Sequence, residues 1–275
     1  MIKNCFRPIC TLVVLSLVSV ALNAQGPDTA TDSAKPLANA HAHNDYEHDR
    51  PLLDALDEGF TSIEADVFLV EGQLLVAHNF INVAKDRTLE NLYLQPLQER
   101  AKENDGRVYK DGQTVTLLVD IKTNGKAAYA ALDELLAKYD SIVSVTTTGE
   151  YTEKAVTVII SGDRPITEIE RSEPRRAGID GRLSDLDSDK STDLFPLISD
   201  NWTTHFRYRG VGTMPEAERE KLNGIVARAH AKGRRVRFWA TPESPVIWQE
   251  LKTAGVDLIG TDDLEKLSKF LRSSK

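Results

Sequence analysis

His41, His43, Glu64, Asp66 and His78 fall within one stretch of the chain, HAHNDYEHDRPLLDALDEGFTSIEADVFLVEGQLLVAHN, running from His41 to Asn79. Glu64 and Asp66 stand two apart in an apolar run, residues 62–70 (SIEADVFLV). In a strand, positions i and i+2 share a face, so both carboxylates project together while Ile63, Ala65 and Val67 point the other way. Side-by-side carboxylates on an apolar strand repel each other unless a cation sits between them. Asp120 closes a second apolar run, residues 114–122 (TVTLLVDIK), in the same manner. Three convergent carboxylates without a thiolate suit one hard divalent ion, Mg²⁺ or Ca²⁺. His43 and His78 suit an acid–base pair: one deprotonates an attacking hydroxyl and the other protonates a leaving alkoxide, because imidazole titrates near neutral pH. Lys122 shares the face of Asp120 and offers a phosphate a point charge. Singly, each carboxylate also reads as a solvated strand end and each histidine as a packed one. The set points to metal-assisted cleavage of a phosphodiester.

These residues need a frame that gathers strand ends. Short apolar runs alternate with amphipathic segments over most of the chain. Strands are expected at 37–43, 62–70, 114–122, 155–162, 194–199, 235–240 and 256–261, with 73–78 as a hairpin partner of the second. Helices are expected from Pro51 to Gly59, from Pro96 to about Asn104, and over 127–139, 216–232, 245–254 and 264–271, with Ser244 as the cap of the fifth. Such alternation favours an α/β fold of the (β/α)8 barrel type over an open doubly wound sheet. Barrel chemistry sits at the C-terminal ends of strands, where His43, Asp66, Asp120, Gly162, Trp239 and Asp262 all fall. No clear helix separates the fourth and fifth runs, so irregularity is expected there.

The N-terminus reads as a secretory signal. Lys3 and Arg7 precede an apolar run from Thr11 to Leu22, and cleavage after Ala24 follows the small-residue pattern. Residues 25–36 read as a disordered tether, and residues 37–275 as a single barrel domain. Cys5 and Cys10 both lie in the signal, so the mature, secreted or periplasmic chain has no thiol chemistry. A formal net charge of −8 argues against broad nucleic-acid binding. No strong amphipathic helix suggests stable membrane insertion, which leaves a monomer acting on a soluble or transiently surface-bound phosphodiester.

At this point the chain resembles a known group. His43-Asn44-Asp45-Tyr46, Ser62 to Val67, Ala77-His78-Asn79 and Asp120-Ile121-Lys122 are similar to motifs of the phospholipase C-like phosphodiesterases. That superfamily includes glycerophosphodiester phosphodiesterases and phosphatidylinositol-specific phospholipases C. The opening HAHNDY with EADV most resembles the altered-inheritance-of-mitochondria branch. The resemblance implies that His43 and His78 are the catalytic pair, that Glu64, Asp66, Asp120 and Asn44 bind the metal, and that Lys122 contacts phosphate. Trp239 and His41 are placed on the substrate side, although His41 shares a strand face with His43 and competes with it for the catalytic role. The His-Arg-Gly opening of true glycerophosphodiesterases is absent, so the resemblance does not carry a glycerol headgroup with it.

Two rival readings remain. His41-Ala42-His43 is also how amidohydrolases and some phosphoesterases hold zinc, with Asp262 as a last-strand ligand. Alternatively, the barrel has lost activity and only binds a ligand. Arg234, Arg235 and Arg237 near Trp239 suggest an anion-binding rim, and Asn201, Trp202 and Tyr208 suggest the wall of a mouth.

Overall fold

Eight parallel strands run in chain order around a closed barrel: β1 (Leu37–Ala42), β2 (Phe60–Val70), β3 (Val115–Ile121), β4 (Val156–Gly162), β5 (Ala177–Gly181), β6 (Leu197–Asn201), β7 (Arg235–Trp239) and β8 (Leu258–Thr261). This computed structural model describes Met1 and residues 34–273, so the expected signal peptide and most of the tether lie outside the described residues. Closure comes from β1, which pairs in parallel with both β2 and β8. Ala42 stands opposite Ile63 on one side and Thr261 on the other, so the parallel sheet has no free edge.

Helices α1 (Leu53–Asp57), α2 (Gln95–Glu103), α3 (Gly125–Ala137), α4 (Ile166–Arg171), the single turn α5 (Trp202–His205), α6 (Glu216–Ala231), α7 (Pro245–Ala254) and α8 (Leu264–Ser273) surround the strands. Helix α7 shows how local sequence sets these bounds. The Ser244 hydroxyl accepts the Ile247 N–H, Pro245 occupies the first turn, and Gly255 ends the helix at φ 81. Ile63, Ala65 and Val67 of β2 face outward into the main core under the helices. Leu118, Ile159, Leu197 and Leu258 point inward and form a separate apolar layer inside the barrel. That layer is the floor on which the polar C-terminal residues stand.

One feature differs from the sequence expectation. The seven anticipated strands become eight because residues 177–181 (AGIDG) form β5, preceded by the short helix α4. With two glycines and one aspartate, β5 carries too little apolar pattern to be read as a strand. Between β5 and β6 the described residues contain a single 3₁₀ turn, Leu183–Asp185, in place of an α-helix. The irregularity therefore falls within residues 163–193, between the fourth and fifth sequence runs, where it is expected.

Candidate active site

The second strand overshoots the barrel. Beyond Asp66 it continues to Val70, turns at Glu71-Gly72 and returns as the antiparallel strand Gln73–Val76. Val67 pairs with Val76, and the Ala77 N–H donates to the Asp66 carbonyl. The hairpin thus brings His78 back to the level of Asp66.

Asp66 and Asp120 lie directly opposite each other on the paired strands β2 and β3. One carboxylate oxygen each of Glu64, Asp66 and Asp120 lies within 4.8 Å of the other two. Glu64 is buried, and its Oε2 accepts from Arg237 Nη2 at 2.6 Å and from His41 Nε2 at 3.0 Å. Burial works against its charge, but Arg237 and then His41 outweigh it and hold the Glu64 carboxyl well below the usual range. Lys122 Nζ lies 2.7 Å from Asp66 Oδ2 and 3.3 Å from Asp120 Oδ1. Burial nevertheless pushes both aspartates above the ordinary carboxylate value. Three anions face two cations here, so the cluster keeps a net negative charge. Asp66 Oδ1 is buried without a hydrogen-bond partner. A convergent oxygen set with one orphaned carboxylate oxygen fits a hard divalent cation.

Both candidate catalytic histidines have Nδ1 engaged. His43 Nδ1 donates to Asp262 Oδ1 at 2.7 Å. Burial lowers the His43 pKa, but the Asp262 hydrogen bond and the Glu64 charge outweigh it and raise it above the ordinary value. His78 Nδ1 lies 3.1 Å from the Tyr46 hydroxyl. That hydroxyl is also 2.6 Å from Asp66 Oδ2 and 2.7 Å from Asn44 Oδ1. A phenol has one proton, and the carboxylate is the stronger acceptor. The Tyr46 oxygen then accepts the His78 Nδ1–H, and each imidazole is left with Nε2 as its free nitrogen.

The cavity these groups share has a volume of about 280 Å³ and is lined by His43, His78, Lys122, Arg182, Arg237 and Trp239 among others. On its far wall the Arg182 guanidinium lies 4.7 Å over the Trp239 ring. Asp180, wholly buried inside the barrel, accepts from Ser161, Ser199 and Arg182 and fixes that arginine. A larger pocket of about 340 Å³, lined by Tyr151, Thr157, Arg175 and Asp193, holds none of these groups.

Residues 29–179 match the AIM6-like phosphodiesterase domain, more than half of the chain. The chain belongs to the AIM6-like phosphodiesterase family. An altered inheritance of mitochondria protein 6 homolog of Arthroderma benhamiae is 28% identical over 86% of this chain and 85% of its own length. The Eremothecium gossypii protein of that name is 29% identical over 85% of this chain and 69% of its own. In fold, the chain is similar to a glycerophosphodiester phosphodiesterase from Parabacteroides distasonis. The TM-score is 0.52 at 16% identity, covering 87% of this chain and 99% of that one. The resemblance read from HNDY and EADV thus places the chain in the intended branch, and it has the architecture of a phosphodiesterase-type enzyme.

The structure brings His43, Asn44, His78, Glu64, Asp66, Asp120, Lys122 and Trp239 to one cavity or its floor. It redirects one other. His41 is fully buried and bonded to Ser62 and Glu64, so it braces a carboxylate and cannot touch a substrate. Burial lowers its pKa to about 3, and it is neutral. Asn44 also lines the cavity, where its Oδ1 lies 2.7 Å from the Tyr46 hydroxyl and its amide N–H donates to Asp262 Oδ1. The His-x-His zinc arrangement does not form, because His41 and His43 face different partners and no histidine joins the carboxylate group among the described residues.

The arginine rim also dissolves. Arg234 is buried and clamps the carbonyls of Asp185, Leu186, Ser188 and Lys190, and Arg235 bonds Thr116. Of these three arginines, Arg237 alone reaches the cavity. Trp202 and Tyr208 are buried, with Trp202 stacked on Phe206 and donating to the Tyr208 carbonyl, so they pack a loop instead of lining the mouth. Tyr46 and Arg182 were missed as site residues. Tyr46 is visible in the HNDY motif, but its partners lie at residues 66 and 78 and depend on the hairpin register.

Proposed function

We propose that this protein is an exported, metal-dependent phosphodiesterase acting on a glycerophosphodiester or a phospholipid-type phosphodiester. The observation that carries the reading is the pairing of two imidazoles, each with Nδ1 anchored, across a carboxylate cluster with an orphaned oxygen. Glu64, Asp66 and Asp120 would hold one divalent cation, Mg²⁺ or Ca²⁺. When bound, the cation would polarise the phosphoryl oxygens and offset the charge that gathers on them. Lys122, released from part of its pairing, contacts the phosphate. One imidazole Nε2 takes the proton of the attacking hydroxyl as that oxygen bonds to phosphorus. The other imidazole gives its Nε2 proton to the departing alcohol oxygen. The attacking hydroxyl belongs to water or to the substrate itself, and a cyclic phosphate product marks the second route. Arg182 and Trp239 face the remainder of the substrate. The Lys3, Arg7 and apolar 11–22 pattern supports export to the periplasm or medium.

The test is hydrolysis of glycerophosphodiesters after EDTA treatment, with Mg²⁺, Ca²⁺ or Zn²⁺ restored in turn, in the parent protein and in His78→Ala. Restoration by Mg²⁺ or Ca²⁺ and loss in the variant support the reading. Restoration only by Zn²⁺, indifferent to His78, overturns it.

A further inference from the structure

Apart from the terminal Met1, six large apolar side chains are exposed among the described residues: Leu53, Phe80, Ile81, Tyr151, Val211 and Val246. Their placement is not even. Leu53 opens α1, just after the β1 strand end. Phe80 and Ile81 form a 3₁₀ turn two residues beyond His78. Val211 lies on the connection from β6 to α6, and Val246 is the second residue of α7. All four of these segments leave the C-terminal ends of barrel strands, on the side where the catalytic cavity opens. Tyr151 alone belongs to the opposite end, on the small ribbon Val145–Thr147 and Glu150–Thr152.

The most protruding members are Ile81 at 91% exposure, Val211 at 86% and Phe80 at 66%. They are held in place. The Phe80 ring packs edge-on against Phe68 at 5.7 Å. Gly210, at φ 85, is so close to α7 that an added Cβ would lie 3.2 Å from Ile247 Cγ1 and from Ser244 Oγ, which holds the segment carrying Val211 against the start of α7.

We infer that these side chains form a docking ring that seats the mouth of the barrel on a zwitterionic phospholipid surface. The purpose of the ring rests on the phosphodiesterase reading above, whereas its geometry does not. A protein partner seated on residues beside His78 would stop the mouth, while a lipid surface presents phosphodiester headgroups to it. Isolated apolar tips around a polar cavity suit insertion among headgroups better than a flat protein contact. Tips carrying Phe, Ile and Val bury apolar area at that boundary. A chain of formal net charge −8 is repelled by anionic lipid, which selects a neutral surface. Among the described residues no helix is long and apolar enough to cross a membrane, so the contact is peripheral.

The experiment is sedimentation with phosphatidylcholine vesicles, together with turnover on vesicle phospholipid relative to turnover on a monomeric short-chain phospholipid. It is run on the full chain and on a chain starting at Ser33, with Phe80→Ser/Ile81→Ser and, separately, Val211→Ser/Val246→Ser. The expected result is a fall of about tenfold or more in vesicle partitioning and in the vesicle-to-monomer turnover ratio for Phe80→Ser/Ile81→Ser. A smaller fall is expected for the other pair, and stronger binding to phosphatidylcholine than to phosphatidylserine vesicles for the parent. Unchanged partitioning in both double variants overturns the inference, as does binding that vanishes when residues before Ser33 are removed. If no phosphodiester of either kind is hydrolysed, the phosphodiesterase reading falls, and the sedimentation result still decides the ring by itself.

Discussion

Replacing Tyr46 by Phe removes a single oxygen from the centre of the site. The ring is 3% exposed and would keep its packing, so no cavity is created. What disappears is the 2.6 Å hydrogen bond to Asp66 Oδ2 and the acceptor 3.1 Å from His78 Nδ1. A hydrogen bond to an ionised group contributes about 1.5–3 kcal/mol. Asp66 keeps Lys122 at 2.7 Å, so the stability loss is expected at the lower end, about 1.5 kcal/mol. The functional cost is separate. Without the phenol oxygen, His78 is free to rotate and to carry its proton on either nitrogen. If orientation is worth about 1.4–2.8 kcal/mol, kcat falls by about ten- to a hundredfold. KM should stay within about twofold, because Tyr46 lies behind the histidine rather than against the substrate. The assay is steady-state hydrolysis of a glycerophosphodiester at saturating Mg²⁺ or Ca²⁺, paired with thermal unfolding. A variant with parental kcat would show that His78 needs no anchor and would refute the assignment. A rise in KM together with the fall in kcat would point to a misshapen cavity instead.

Further expectations follow from the same geometry. Asp262→Asn replaces the charged acceptor that helps raise the His43 pKa with a neutral one, so the limb of the kcat/KM–pH profile governed by His43 should move to lower pH; a limb that stays put would dissociate His43 from Asp262. Gly162→Ala places a Cβ against Asp120 Oδ1 and the Ile121 carbonyl at φ 70, which should cost about 2 kcal/mol or more and weaken cation binding measured by calorimetry. Burial pushes the Asp45 carboxyl up to about 6, against the hydrogen bonds it accepts from Leu52 N–H and Tyr93 O–H. The folded pKa is the higher one, so the stabilising proton is fully in place below about pH 4 and is lost as pH rises through about 6. In EDTA, this group should make the protein about 1.4 kcal/mol more stable at about pH 5 than at about pH 7.5, a difference that Asp45→Asn should abolish in urea titrations.

The parts of the site legible in the sequence are those that a single strand determines. The two-residue spacing of Glu64 and Asp66 fixes a common face, and the outward Ile63, Ala65 and Val67 confirm the alternation. Asp120 follows from the same argument on β3. Partners from distant strands were not legible. Arg237 reaches Glu64 across 173 residues, and Asp262 meets His43 across 219. Nothing local marks either pairing until the barrel closes and β1 lies beside β8. Histidine types alone also could not separate His41 from His43. Both sit near the end of β1, and only the turn after Ala42, with Asn44 at φ 49, swings His43 out to the cavity while His41 stays inside. Strand β5 escaped because its inward positions are Gly178 and Asp180. Gly178 is required there, since an added Cβ would lie 2.7 Å from the Pro196 ring.

The most direct test of the central claim follows one phosphodiester by phosphorus NMR with the parent protein, His43→Ala and His78→Ala, each loaded with Mg²⁺ or Ca²⁺ and shown to be folded. The account predicts that the parent converts the diester resonance into that of a monoester or cyclic phosphate, and that both variants leave it almost unchanged. Conversion at the parental rate by both variants would contradict it, because the two anchored imidazoles would then have no part in the reaction.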